Sequence, residues 1–176
     1  MLNRRSHSLQ NGFSLVELMI GVVILAILSA VAIPSFQSWL LNTQIRNAAE
    51  SISNGLQRAR SESVGRNTDI EFALSADSTW VVRIPGGADI ETRSSNEGSK
   101  SVAVTFTPPG TTTVTYNGFG GIKGANADTS APFTRIDVDS TELSTAESQN
   151  LAITIGLGGN VRMCDPNAPG GSPRAC

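Results

Sequence analysis

Histidine is almost absent from this sequence. The one copy, His7, lies in a short polar stretch ahead of a long apolar run. If residues 1–12 are removed, the remaining chain has no imidazole. A Ser-His or Cys-His nucleophile, a His general base and a His-based zinc site are then excluded. Carboxylate or lysine chemistry stays open, but no residue is assigned a catalytic role and no cofactor or metal is implied. Cysteine is nearly as scarce: Cys164 and Cys176 both lie in the last thirteen residues, without a C-x-x-C spacing. Two thiols make a poor metal site. In an oxidising compartment they pair, closing a small loop worth about 3 kcal/mol in the chain-entropy model, which fits an extracytoplasmic body. Positive charge is not in excess either, and the net charge of −2 supplies no global field for nucleic acid. Aromatics reach only 5%, whereas 17 Gly and many Ser and Thr point to a body rich in strands and turns.

What is abundant is apolar length near the N-terminus. Residues 1–12 are polar and basic, with Arg4 and Arg5 and no acid. Residues 13–33 form 21 positions with one ionisable group, Glu17. As a helix this run rises about 30 Å, enough to cross a hydrocarbon core. The arginines then stay on the cytoplasmic side and the rest of the chain lies outside. One reading is a secretory signal, with Ala30-Val31-Ala32 as an A-x-A cleavage site that releases a soluble binding or catalytic domain. The run exceeds the usual ~7–15 residues of such a signal, and it carries a carboxylate near its start. A second reading is a plain membrane anchor, which leaves Glu17 unexplained. A charge at depth costs about 2.5–3.5 kcal/mol on insertion scales and needs a partner.

A third reading accounts for each piece. Gly12-Phe13-Ser14-Leu15-Val16-Glu17 resembles the processing motif of type IV prepilins, Gly-Phe-Ser/Thr-Leu-Ile/Val-Glu. The resemblance implies that a prepilin peptidase cuts after Gly12 and that the new N-terminal Phe13 is N-methylated. The apolar segment then remains on the mature chain. Glu17 falls one helical turn from the amine of Phe13, and an ammonium and a carboxylate relieve each other's burial only when well paired. By this resemblance Glu17 offers its carboxylate to a neighbouring subunit's Phe13 amine and sets the register of assembly.

Pro34 follows the apolar run, where it removes one backbone hydrogen bond and introduces a kink in a continuing helix. Beyond it, Ile45, Ala48, Ala49, Ile52, Leu56 and Ala59 recur at three- and four-residue steps. Arg46, Asn47, Glu50, Asn54, Gln57, Arg58 and Ser61 fill the other face. Gly65 is expected to cap a helix of about 50 residues, roughly 75–80 Å long. From Thr68 the period changes to two. Ile70, Phe72 and Leu74 alternate with Asp69, Glu71 and Ala73, and similar runs hold Trp80-Val82-Ile84, Val102-Val104-Phe106, Val114-Tyr116, Ile136-Val138 and Leu151-Ile153-Ile155-Leu157. The expectation is an α+β fold: a long N-terminal helix, transmembrane in its first half, whose second half packs on an antiparallel β-sheet. In residue ranges, this divides the chain into a leader at 1–12, an assembly helix half at 13–33, an amphipathic half at 34–66 and a β-rich domain at 67–176.

Leu56-Gln57-Arg58-Ala59-Arg60-Ser61-Glu62-Ser63-Val64 resembles the L-x-x-A-R-S-E-A-V signature of the GspH/FimT group of minor pilins and pseudopilins. The stretch Gly159-Asn160-Val161-Arg162-Met163-Cys164 resembles that group's closing strand, G-R-V/I-R-x-C. The resemblance implies a structural subunit that helps initiate a filament or sits near its tip, in a type IV pilus or a type II secretion pseudopilus. Other pilin-like subunits, the prepilin peptidase and the bacterial inner membrane are the implied partners. The implied location is a single-pass inner-membrane protein with a periplasmic body. Some FimT-like members bind DNA through a G-R-x-R element. Here Asn160 replaces the first arginine, leaving Arg162, with Arg174 in the same Cys-bounded loop as a second candidate for DNA. Removing the leader leaves 11 basic against 15 acidic side chains, which weakens any phosphate contact.

Other signals weigh toward structure. Asp137 and Asp139 share a strand face with Glu142 nearby, a pattern calcium uses, but no EF-hand loop is present and a solvated face is expected. Arg58, Arg60 and Arg66 suit a helix C-terminus, with Glu62 one turn from Arg58. Trp39 suits an interfacial anchor. The glycine runs at 118–121 and 158–159 follow no strand-to-helix pattern, so a phosphate loop is rejected.

Overall fold

The computed structural model describes residues 12–176. Of the expected leader only Gly12 is among them; Arg4, Arg5 and His7 lie outside the described residues. Helix α1 spans Leu15–Arg66, with Pro34 inside it. It runs through two compact units, one ending at Gln37 and one spanning Ser38–Cys176.

In the second unit the apolar stripe read from the sequence is buried. Ile45, Ala48, Ala49, Ile52, Leu56 and Ala59 are almost wholly shielded, while Arg46, Asn47, Glu50, Asn54, Gln57, Arg58 and Ser61 are exposed. Each large stripe residue contributes about 1.5–3 kcal/mol by leaving water. Two small residues on the same face set how closely the helix approaches the strands. A Cβ on Gly55 would sit 2.7 Å from Phe72 Cε2 and 3.0 Å from Trp80 Cε2. One turn earlier, Ser51 Oγ accepts the indole N–H of Trp80 at 2.9 Å, satisfying a buried donor.

The cap of the helix falls two residues later than expected. Gly65 lies inside α1, and the left-handed cap is Asn67, with φ of 49°. Its N–H reaches the Val64 carbonyl at 3.3 Å, and that of Thr68 reaches Ser63 at 3.2 Å. This is the paired closure of a Schellman turn, and asparagine tolerates the conformation.

Eight strands follow: β1 (Ile70–Leu74), β2 (Trp80–Arg83), β3 (Asp89–Arg93), β4 (Val102–Thr107), β5 (Thr113–Tyr116), β6 (Arg135–Ser140), β7 (Leu151–Ile155) and β8 (Val161–Cys164). They form two four-stranded antiparallel sheets, in the orders β3-β2-β1-β5 and β4-β6-β7-β8, rather than the one sheet expected. Local periodicity marks strands but not which of them pair. Buried residues oppose one another across the ladders: Phe72 faces Val82 and Val114, and Ile136 faces Ile153. Phe133 joins the aromatic cluster, 6.4 Å from the Phe72 ring and 5.7 Å from that of Phe106.

Four local readings change. Strand β3 has no apolar alternation and is mostly exposed, so only its pairing with β2 reveals it. Glu71, expected to face solvent, is buried and bonded to Arg83 directly across the ladder. Edge strand β5 is buried on both faces, because Asn126 in the 117–130 segment accepts from Thr115 Oγ1 and donates to the Thr113 carbonyl. Leu157, expected to extend β7, sits instead at 86% exposure in a turn closed by Gly156 N–H to Asn160 O.

Candidate functional site

The assembly determinants read from the sequence fall at the start of α1. Ser14 is the N-cap: its Oγ accepts the Glu17 N–H at 3.2 Å, and its carbonyl accepts that of Leu18 at 3.1 Å. Ser14 and Glu17 therefore stand at the two ends of a capping-box spacing, Ser-x-x-Glu. The sequence carried this signal within the processing motif, where it reads only as part of a recognition string. Glu17 in the first turn also complements the helix dipole. From Phe13 to Ile33 the large apolar side chains are exposed on all sides of the helix. An 18-residue window with mean hydropathy 2.7 makes this helix long and apolar enough to cross a membrane.

The second group lies at the C-terminal end. Cys164, at the end of β8, is disulfide-bonded to Cys176 with Cα atoms 5.1 Å apart. The loop is held from inside as well. Arg162 Nη2 donates to the carbonyls of Ala175 at 2.8 Å and Pro173 at 3.3 Å. The Asp165 N–H donates to Arg174 O at 2.7 Å. Arg162, on β8, and Arg174, in the disulfide loop, thus play different parts. Arg162 ties the loop to β8, whereas the exposed Arg174 side chain lines a cleft of about 580 Å³ together with Arg46, Asn42, Gln149, Met163 and Asp165. Sequence reasoning placed Arg46 only on the polar face of the helix; nothing in its spacing links it to residue 174.

The remaining candidates are engaged within the body. Asp137 accepts both Nε and Nη2 of Arg135, at 3.0 and 2.6 Å, and that bond holds the arginine's pKa above its ordinary value. Asp139 accepts from Ser140 N–H and Ser148 Oγ, and Glu142 accepts from Ser101 Oγ. Their oxygens face protein donors rather than one another. Glu62 takes Arg66 at 2.5 Å and Arg58 at 2.9 Å; the Arg66 hydrogen bond holds its pKa below the usual carboxylate range, aided by the charge of Arg58. Arg60 Nε donates to Gly120 O at 3.1 Å, joining the helix to the 117–121 turn. Gly159 packs on the same spot, where a Cβ would meet Gly120 O at 2.0 Å. Burial pushes the Tyr116 hydroxyl pKa well above its ordinary value.

Comparison with known proteins follows the same division of the chain. Residues 7–33 match the prokaryotic N-terminal methylation motif, and residues 48–170 match the family model of type II transport protein GspH. A fimbrial protein of Pseudomonas aeruginosa is 48% identical over 44 residues, covering 25% of this chain and 29% of its own. Type IV major fimbrial protein FimA of Dichelobacter nodosus is 46% identical over 50 residues, 28% of this chain and 31% of that one. The chain spans under a third of the length of these relatives. The crystal structure of the P. aeruginosa type IV minor pilin FimU superposes with a TM-score of 0.52 at 15% identity, over 76% of this chain and 96% of that one, which shows a shared fold.

Proposed function

Because this chain belongs to the type II transport protein GspH family of type IV pilin-like proteins, we propose that it is a minor pilin or minor pseudopilin, a structural subunit that joins a pilus-like filament through its N-terminal helix. One observation carries the reading: the first half of α1 displays apolar side chains on every side and has one acid, Glu17, in its first turn. A helix apolar all round must be covered by lipid or by other helices. In this account the peptidase cuts after Gly12, Phe13 is N-methylated, and the helix is held in the inner membrane with the body in the periplasm. Extraction into a filament exchanges lipid for neighbouring helices, and Glu17 meets the Phe13 amine of an adjacent subunit. Pro34 would let the membrane half bend relative to the rest of the helix.

Mass spectrometry of the membrane-extracted chain tests the first step; the expected species begins at methyl-Phe13. A chain beginning at Ile33 would instead identify a released secretory domain, and an intact leader would sink the account. Glu17→Ala is expected to leave insertion and processing unchanged while reducing incorporation into filaments, and incorporation at the wild-type level would remove the pairing mechanism. The rival in which Arg162 and Arg174 grip DNA loses support, because the Arg162 guanidinium donates to backbone carbonyls of the disulfide loop. A gel-shift assay with the purified chain at low salt is expected to show no retarded band.

A further inference from the structure

Eight of the eleven basic residues of the Ser38–Cys176 unit have a partner within it. Arg58, Arg66, Arg83, Arg93, Lys123 and Arg135 form ion pairs. Arg60 and Arg162 donate to carbonyls. Among the described residues, Arg46, Lys100 and Arg174 have neither. Two of those three line the cleft beside the disulfide loop.

Both walls of that cleft are held in place. On the helix side, Asn42 Nδ2 donates to Glu147 O at 3.0 Å and its Oδ1 accepts the Gln149 N–H at 2.8 Å, fixing the segment that follows β6. On the other side the disulfide, the Arg162 bonds and the Asp165–Arg174 backbone bond fix residues 164–176. Apolar surface is also present: Met163 is 40% exposed and lies on the lining with Leu151 and Pro173. A second hollow of about 430 Å³, lined by Trp39 and Thr43, shares Asn42, Arg46 and Gln149 with the first and extends it. The site is therefore elongated, preorganised, part apolar, and furnished with two guanidinium groups that form no ion pair within the described residues.

We propose that this cleft docks a segment of a neighbouring filament subunit bearing one or two carboxylates flanked by apolar side chains. The proposal rests on the filament reading and adds the chemistry of the partner. A single ion would leave most of the elongated surface uncovered. A polyanion is disfavoured, because Asp165 lies on the same lining, its Oδ1 accepting the Asn167 N–H at 2.9 Å. The unit as a whole also carries 14 acidic against 11 basic side chains. Guanidinium groups favour carboxylates through paired, charge-assisted hydrogen bonds, and partly desolvated pairs at an interface fix register as well as affinity.

The test uses the full chain in neutral detergent with two capped peptides, Ac-Leu-Glu-Leu-Glu-Leu-amide and its glutamine twin. At low salt the glutamate peptide is expected to bind about tenfold more tightly than the twin. That ratio should fall to near one in the Arg46→Gln/Arg174→Gln variant and persist in Lys100→Gln, with thermal unfolding unchanged in both. Equal affinity for the twins, no measurable binding of either, or a ratio indifferent to the two arginines would overturn the proposal. Arginine-dependent displacement of the peptide by a short single-stranded oligonucleotide or by anionic lipid vesicles, at lower concentration, would reassign the cleft to nucleic acid or lipid. Filament incorporation of the same chains separates the two readings. Failure of the wild type to enter a filament removes the filament account, while the peptide ratios still judge the cleft. Normal entry of both wild type and double variant removes the docking role alone.

Discussion

Leu25 and Leu56 are the same residue on the same helix, one 64% exposed and the other fully buried. The contrast holds along both halves. Before Gln37 the helix is apolar in every direction and its large apolar side chains are exposed. After Ser38 it is apolar along one stripe and fits a body shaped to receive it. Apolar content alone says only that a surface must be covered. Its angular distribution says by what: a stripe implies one solid partner, whereas a full circle implies a surrounding medium or several helices.

Matched substitutions in the two halves can break this contrast, each read by unfolding of the full chain in detergent. The largest difference is expected between Leu56→Ala, which should destabilise the body by about 2–5 kcal/mol through lost burial and a cavity, and Leu25→Ala, which should leave body unfolding within about 0.5 kcal/mol. Comparable losses would mean that the first half has a folded partner within the chain. Next come the serines. Ser51→Ala strands the buried Trp80 indole donor and should cost about 1–3 kcal/mol; Ser35→Ala removes only a 3.5 Å exposed contact to Val31 O and should be silent. The glycines sharpen the point because their signs differ. Gly21→Ala meets open space and gains helix propensity, up to about 1 kcal/mol. Gly55→Ala makes the same gain but pushes on the Phe72 and Trp80 rings, with an overpacking cost of about 1–3 kcal/mol, so a net loss is expected.

The smallest expected difference is electrostatic. Glu62→Gln should cost under about 1 kcal/mol at neutral pH, since exposed helix pairs contribute little, and Glu17→Gln should not alter body unfolding at all. The pH dependence has a definite sign. The folded-state pKa of Glu62 is lowered, first by its Arg66 hydrogen bond. Its contribution is therefore present above the ordinary glutamate value of about 4.3 and fades as pH falls through the lower folded value. The gap between wild type and Glu62→Gln should close in acid and in high salt. A gap that widened in acid would contradict the ion-pair account.

How much of this was legible depended on the range of the interaction. The helix stripe, the membrane-length run and most strands follow from periods of 3.6 and 2, which are properties of adjacent residues. The N-cap at Ser14 was overlooked, because the Ser14 to Glu17 spacing is also part of the processing motif. Strand β3 was not, because Asp-Ile-Glu-Thr-Arg at 89–93 has no buried face to impose alternation. Leu157 misled for the opposite reason: it continues an alternation, but the turn at Gly156–Asn160 withdraws it from the sheet. At the C-terminal site, Arg162 and Arg174 looked equivalent as charges. Their difference lies in which carbonyls fold back within reach.

By itself the sequence determined that the first half of α1 must be covered on all sides, that its one acid would stand in the first turn, and that the second half would turn a single stripe inward. These are consequences of side-chain polarity repeated at the spacing of a helix. Only the tertiary structure decided that the strands divide into two sheets, that Glu71 would be buried against Arg83, and that Arg46 and Arg174 would line one cleft. Those outcomes depend on segments from about a dozen to more than a hundred residues apart coming together. No local period encodes such meetings, because the energy that selects them exists only once the whole body is packed.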